Sequence, residues 1–142
     1  DALQSAILRI KLKYLDEWNE GRRKAARHYD SQLGNCGVNL PRVRSGSSHV
    51  YHLYVIECDE RERLQKELDG VGVATGIHYP VPLHLQPALA DYRDHAATLS
   101  KTENSARRIL SLPIFPEITA EQIEYVADNI KRVSQDIMMA EP

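Results

Sequence analysis

The stretch His49-Val50-Tyr51-His52-Leu53-Tyr54-Val55-Ile56-Glu57-Cys58 decides the architecture. It is the strongest strand pattern in the chain, rich in Val, Ile and Tyr, with apolar residues on both faces. That pattern predicts a central β-strand over 49–58. Asp59 follows at once, with Glu62 three residues on. The spacing predicts a capping box and a helix to about Leu68, closed by Gly70 and Gly72.

Upstream, Leu3, Ile7, Ile10, Tyr14, Trp18, Ala25 and Tyr29 recur at intervals suited to one helical face. Ala, Leu, Lys, Arg and Glu dominate, so residues 2–33 read as one long helix, weakest at Gly21 and stopped by Gly34. Such a helix would be roughly 48 Å long. A compact domain of this size has a radius of gyration of about 14–15 Å. The helix should therefore overshoot its domain, and its apolar stripe should need a partner. The chain opens on Asp1 with no Met and enters this helix directly, which suggests a piece of a longer protein. The expected organisation is a linker or interface helix over 1–34 and a small α/β domain over 35–142.

Other elements are shorter. Cys36 to Leu40 and Val73 to His78 are candidate strands, with Arg42 to Ser48 a turn-rich loop. Pro80 and Pro82 make Tyr79 to Gln86 a loop, and Pro87 to Asp91 suits one helical turn. Thr102 is placed to cap a helix from Glu103 to about Ile109. Leu110 to Ile114 reads as a strand ended by Pro113 and Pro116. Thr119 and Gln122 form a second capping box, for a last helix to about Val133. Ser134 to Pro142 reads as a frayed tail. The expected fold is α/β: a long N-terminal helix plus a small, mostly antiparallel sheet covered by helices.

Composition narrows the function. The chain has 142 residues, enough to bury a core without disulfide or metal staples. Eighteen Lys and Arg against twenty Asp and Glu leave a net charge of −2, which argues against a nucleic-acid partner. No apolar run reaches the length of a membrane span. Cys36 and Cys58 lie far apart, as expected of reduced thiols in a cytoplasmic protein.

Most chemical motifs are missing. There is no GxSxG elbow, no GxxxxGK[ST] and no GxGxxG. His49 and His52, three apart on a strand, would point to opposite faces and cannot share a metal. His78 and His84 could converge, but a zinc site needs further ligands. No metal is expected, and His49, His52 and His95 read as partly buried, hydrogen-bonded residues. The segment Gly76-Ile77-His78-Tyr79-Pro80-Val81-Pro82-Leu83-His84-Leu85-Gln86-Pro87-Ala88 stands apart. Its prolines hold the backbone extended and concentrate His, Tyr, His and Gln within nine residues. Such side chains hydrogen-bond sugar hydroxyls or phosphate oxygens. The alternative is a purely structural loop bridging two elements.

Four stretches carry a resemblance: DALQSAILRIKLKYLDEWNEGRRKAARHY at 1–29, HVYHLYVI at 49–56, GIHYPVPLHLQPAL at 76–89 and TENSARRILSLPIFPEITAEQI at 102–123. Together they resemble the C-terminal part of the DegT/DnrJ/EryC1/StrS family, fold-type I pyridoxal-phosphate enzymes that act on nucleotide-linked keto-sugars. The resemblance implies an aminotransferase moving an amino group, commonly from glutamate, within a homodimer. The loop resembles that of members acting at C3 of dTDP- or UDP-keto-sugars. It implies substrate contacts for His78, Tyr79, His84 and Gln86. Arg9, Tyr14, Trp18, Arg22 and Arg23 would serve helix packing and subunit contact.

The family's Schiff-base lysine lies upstream, in a large N-terminal domain, with the other groups that hold pyridoxal 5'-phosphate. The lysines here, Lys11, Lys13, Lys24, Lys66, Lys101 and Lys131, fall on or beside expected helices, where nothing would desolvate them. No catalytic or cofactor-binding residue is therefore expected in this chain, and alone it should be inactive. Two alternatives are a relative using the same cofactor for sugar dehydration, with His in place of the upstream lysine, and a stand-alone truncated module for dimerisation or sugar binding.

Overall fold

The computed structural model describes residues 1–95 and 99–139. Helix α1 spans Ala2–Lys11, and the Asp1 carboxylate caps it by accepting from the Leu3 N–H at 2.9 Å. A tight 3-10 turn at Leu12–Tyr14 joins it to α2, Leu15–Leu33. The expected long helix is thus helical throughout 2–33, tightened at Leu12–Tyr14, and Gly21 does not interrupt it. Helix α1 buries nothing: Leu3, Ile7, Leu8 and Ile10 all stand exposed. The last turns of α2 do the opposite, burying Ala25, Ala26, Tyr29 and Leu33. The helical stretch 2–33 therefore overshoots the packed core at its N-terminal end, as its length leads one to expect.

Strand β1 is Tyr54–Glu57 and pairs antiparallel with β2, Ile109–Leu112, with Tyr54 opposite Leu112 and Glu57 opposite Ile109. Asn39 bridges the outer edge of β1 through Glu57, and Gly76 bridges the outer edge of β2 through Ser111. All these pairings are antiparallel. Cys36 to Leu40 and Val73 to His78 touch the sheet at one residue each, so neither forms the expected strand. Residues 49–53 and Cys58 also stay outside β1. The His49 Nδ1 accepts the Tyr51 N–H at 2.9 Å, and Tyr51 adopts a left-handed φ of 47°. A local side-chain turn replaces the ladder there. Tyr51 is nonetheless buried, its ring against His49 and Tyr54.

Helix α3, Arg61–Gly70, starts two residues after Asp59 and has no side-chain cap. The Asp59 carboxylate instead meets Arg108 Nε at 2.7 Å. Helix α4 runs Ser100–Arg108, so Thr102 lies inside it rather than capping it. Helix α5, Ala120–Met138, does begin at the Thr119–Gln122 box. It continues past Val133, with Ser134 buried, so the expected fraying does not begin there. Residues 140–142 of that expected tail lie outside the described residues.

The core is a single cluster between α2, α3, α5 and the sheet. Tyr29 stacks on Tyr54 with ring centroids 4.9 Å apart. Burying aromatic bodies requires partners for their hydroxyls. Tyr29 donates to the Pro113 carbonyl at 2.9 Å and Tyr54 to Asp30 Oδ1 at 2.7 Å. Leu33, Ile56, Leu64, Leu68, Leu110, Ile123 and Ile130 fill the space between. No helix among the described residues is long and apolar enough to cross a membrane.

Candidate functional site

The chain after Gly76 leaves the sheet edge, and its prolines keep it extended until a 3-10 turn at Leu83–Leu85 and a second one from Pro87 to His95. This segment faces α4 across a cleft of about 530 Å³. His78, Tyr79, Val81, Pro82, Leu83 and Gln86 form one wall, and Lys101, Thr102, Ser105, Ala106 and Ile109 form the other.

Three of the four expected contact residues line this cleft. The His78 Nδ1 lies 2.9 Å from Ser111 Oγ, and the Tyr79 ring sits edge-on to the imidazole at 5.7 Å. Tyr79 is 73% exposed, so its ring face and hydroxyl are open to a ligand. Gln86 ties one amide proton to the Val81 carbonyl at 3.1 Å, which orients its remaining polar atoms. His84 is placed differently. It is half-buried outside the cleft lining, with Nε2 3.1 Å from Glu103 Oε1, and so links the loop to α4.

The second wall escaped the sequence reading. Lys101, Thr102 and Ser105 fall on one helical face by their i, i+1, i+4 spacing, and that period was the signal available. Among the described residues Lys101 is the one lysine or arginine lining the cleft, and no carboxylate lines it. Its polar groups suit a hydroxylated ligand carrying negative charge, while Val81, Pro82, Leu83, Ala106 and Ile109 offer it apolar faces.

Several other expected candidates lie away from the cleft lining. His49 and His52 are exposed rather than partly buried, and the side chain of His95 lies outside the described set. Arg22 donates from Nε to the Val50 carbonyl at 3.3 Å and from Nη2 to Asn19 at 2.9 Å, fastening the 41–50 loop to α2. Arg23 pairs with Glu20, and Tyr14 stacks on Trp18 at 5.9 Å. Arg9 is exposed on α1. Among the described residues no three His, Cys, Asp or Glu side chains are grouped to hold a metal ion. Cys36 and Cys58 are free and buried, and burial pushes both thiols up, Cys58 to about 11.

These residues do not by themselves fit pyridoxal phosphate. A Schiff-base lysine needs a desolvated amine. Lys11, Lys13, Lys24, Lys66 and Lys101 are exposed, while Lys131 is tied to Gln32 at 3.0 Å and Asp128 at 3.1 Å.

The sequence model of the DegT/DnrJ/EryC1/StrS aminotransferase family matches residues 1–131, and the chain belongs to that family. It is 40% identical over 132 residues to the erythromycin biosynthesis sensory transduction protein EryC1 of Saccharopolyspora erythraea, covering 92% of this chain and 36% of that protein. It is 38% identical over 141 residues to the dTDP-3-amino-3,4,6-trideoxy-alpha-D-glucose transaminase of Streptomyces venezuelae, covering 99% of this chain and 37% of the relative. The crystal structure of S. venezuelae DesV in complex with a ketimine intermediate superposes with a TM-score of 0.85 at 37% identity, over 93% of this chain and 36% of that one. The chain thus spans about a third of the length of the relatives it matches.

Proposed function

We propose that this chain is the C-terminal part of a cytoplasmic, homodimeric, pyridoxal-phosphate-dependent aminotransferase that moves an amino group, from glutamate, to a nucleotide-linked keto-sugar. One observation carries the reading. The HYPVPLHLQ segment, one of the motifs that carry the family resemblance, forms one wall of an open cleft with His78, Tyr79 and Gln86 on its surface. In this reading the two side chains and the amide hydrogen-bond the sugar nucleotide, and the exposed Tyr79 ring covers an apolar face of it. Lys101 places positive charge near its phosphates. His84 acts behind the wall, holding the loop on α4 through Glu103. The cofactor and its lysine are assigned to a large domain outside these residues, and the exposed stripe of α1 to contacts within the dimer or with that domain.

Two measurements test the proposal. The purified chain, given pyridoxal phosphate, glutamate and a dTDP-keto-sugar, should form no amino-sugar, and turnover by it would overturn the division of labour. The coding DNA upstream of Asp1 should continue in frame through a large domain with a cofactor lysine. A His at that position would move the reading to dehydration chemistry. A start signal next to Asp1 would leave a stand-alone module.

A further inference from the structure

The His78 imidazole is held from three directions. Ser111 Oγ lies 2.9 Å from Nδ1. The Tyr79 ring stands edge-on to it. On the remaining side, Gly76 provides the space: a Cβ there would meet the His78 Cε1 at 2.6 Å. Gly76 and Ser111 are also paired through the backbone. The Gly76 N–H donates to the Ser111 carbonyl at 3.1 Å, and the Ser111 N–H donates to the Gly76 carbonyl at 2.7 Å. The hydroxyl and the histidine two residues beyond Gly76 are therefore referenced to one backbone bridge. Ser111 itself is buried, with Val55 as its partner across β1 and β2.

A buried hydroxyl proton requires an acceptor. Among the described residues Nδ1 is the acceptor this one is given. The reverse arrangement, with Nδ1–H donating to Oγ, would bury the hydroxyl proton unsatisfied, which costs more than an unfilled lone pair. A neutral imidazole whose Nδ1 accepts carries its proton on Nε2. We propose that Ser111 is the positioning residue of His78, fixing it as the Nε2–H form so that the cleft offers the ligand a donor. The ligand atom facing His78 is then an acceptor oxygen, of a sugar hydroxyl, a sugar carbonyl or a phosphate. This inference rests on the reading of the cleft as the sugar-nucleotide site.

Long-range nitrogen–proton correlation spectra of the ligand-free chain, taken above pH 8 where histidine is neutral, test it directly. His78 is expected mainly as the Nε2–H form. In Ser111→Ala the excess of that form should fall by about fivefold, the worth of one ordinary hydrogen bond. Ser111→Thr keeps a hydroxyl on a strand-compatible frame and should retain it. An Nδ1–H form in the unaltered chain overturns the proposal, whether or not the alanine variant folds. So does an unchanged population in a folded Ser111→Ala. Adding dTDP-glucose separates the two readings. A His78 that keeps the expected form but does not respond removes the substrate reading and leaves the positioning role standing. A His78 that responds in the Nδ1–H form overturns Ser111 and keeps the substrate reading.

Discussion

Gly21 lies so close to Pro116 that a Cβ on it would stand 2.7 Å from the Pro116 carbonyl oxygen and 3.1 Å from its Cα. Glycine inside a helix costs about 1 kcal/mol relative to alanine, and α2 accepts that cost because the chain leading into α5 crosses it here. Gly21→Ala would regain the propensity but drive a methyl into backbone that cannot rotate aside. Overpacking of that kind costs about 1–3 kcal/mol. The expected net result is a loss of about 1 kcal/mol, read as a lower urea midpoint. Gly70→Ala, whose Cβ would meet nothing within 4 Å, serves as the control and should be neutral or slightly stabilising.

The start of α5 is a reciprocal pair. The Gln122 N–H donates to Thr119 Oγ1 at 3.2 Å, and the Thr119 N–H donates to Gln122 Oε1 at 3.0 Å. Thr119→Ala should cost about 1 kcal/mol of unfolding free energy. Asp59→Asn should cost less than about 0.5 kcal/mol, because Asp59 caps nothing and its side chain, paired with Arg108, is 85% exposed. Urea titration of both variants distinguishes a working cap from a sequence that only resembles one.

That contrast shows what could be read before the fold was seen. The 119–122 spacing and the helical period of α2 report local geometry, and both gave the right element. Tyr54 to Glu57 lay inside the expected strand, but its first five residues did not, because periodicity carries no record of a His49 side chain closing a turn on Tyr51. Cys36 to Leu40 and Val73 to His78 have strand composition, yet one bridge each is all the sheet supplies. The cleft divides the same way. His78, Tyr79 and Gln86 were legible because two prolines hold them within one loop. Lys101, Thr102 and Ser105 were not, because only tertiary folding brings α4 opposite that loop. Ser111 was invisible as a partner of His78 for the same reason, being 33 residues away.

Alkaline pH should weaken the fold in two stages. Burial raises the Cys58 thiol from 9.0 to about 11, with Asp59 adding to it. A group raised on folding stabilises the native state fully below its unfolded value, and that contribution is lost as pH rises through the shifted one. The Cys58 contribution therefore declines between about pH 9 and 11. Tyr29 and Tyr54, pushed up from 10.0 mainly by burial, add a second decline above pH 10. The thermal midpoint should be flat between about pH 7 and 8.5, within about a degree. Cys58→Ala should make the fall between pH 9 and 10 shallower while leaving the later one. An unchanged profile in that variant would mean that the thiol is not desolvated.

The two walls of the cleft are joined by His84 and Glu103, with Nε2 and Oε1 3.1 Å apart and side chains 16% and 28% exposed. The loop's own turns are backbone bonds spanning three residues, such as the Gln86 N–H to the Leu83 carbonyl at 3.1 Å and the Leu89 N–H to the Gln86 carbonyl at 3.0 Å. Bonds that short in sequence hold the loop's shape but not its place against α4. The His84–Glu103 contact does hold that place, and its partial burial makes it stronger than a fully solvated pair. A double-mutant cycle of His84→Ala and Glu103→Ala should give a coupling of about 1 kcal/mol. Amide exchange at Gln86 and Leu89 should quicken by about fivefold in either single variant, as expected when about 1 kcal/mol of local stability is removed. Glu103→Gln keeps the side chain's shape and a neutral hydrogen bond, so it should lose about half as much. Additive single variants with unchanged exchange would show that the prolines alone set the cleft's width.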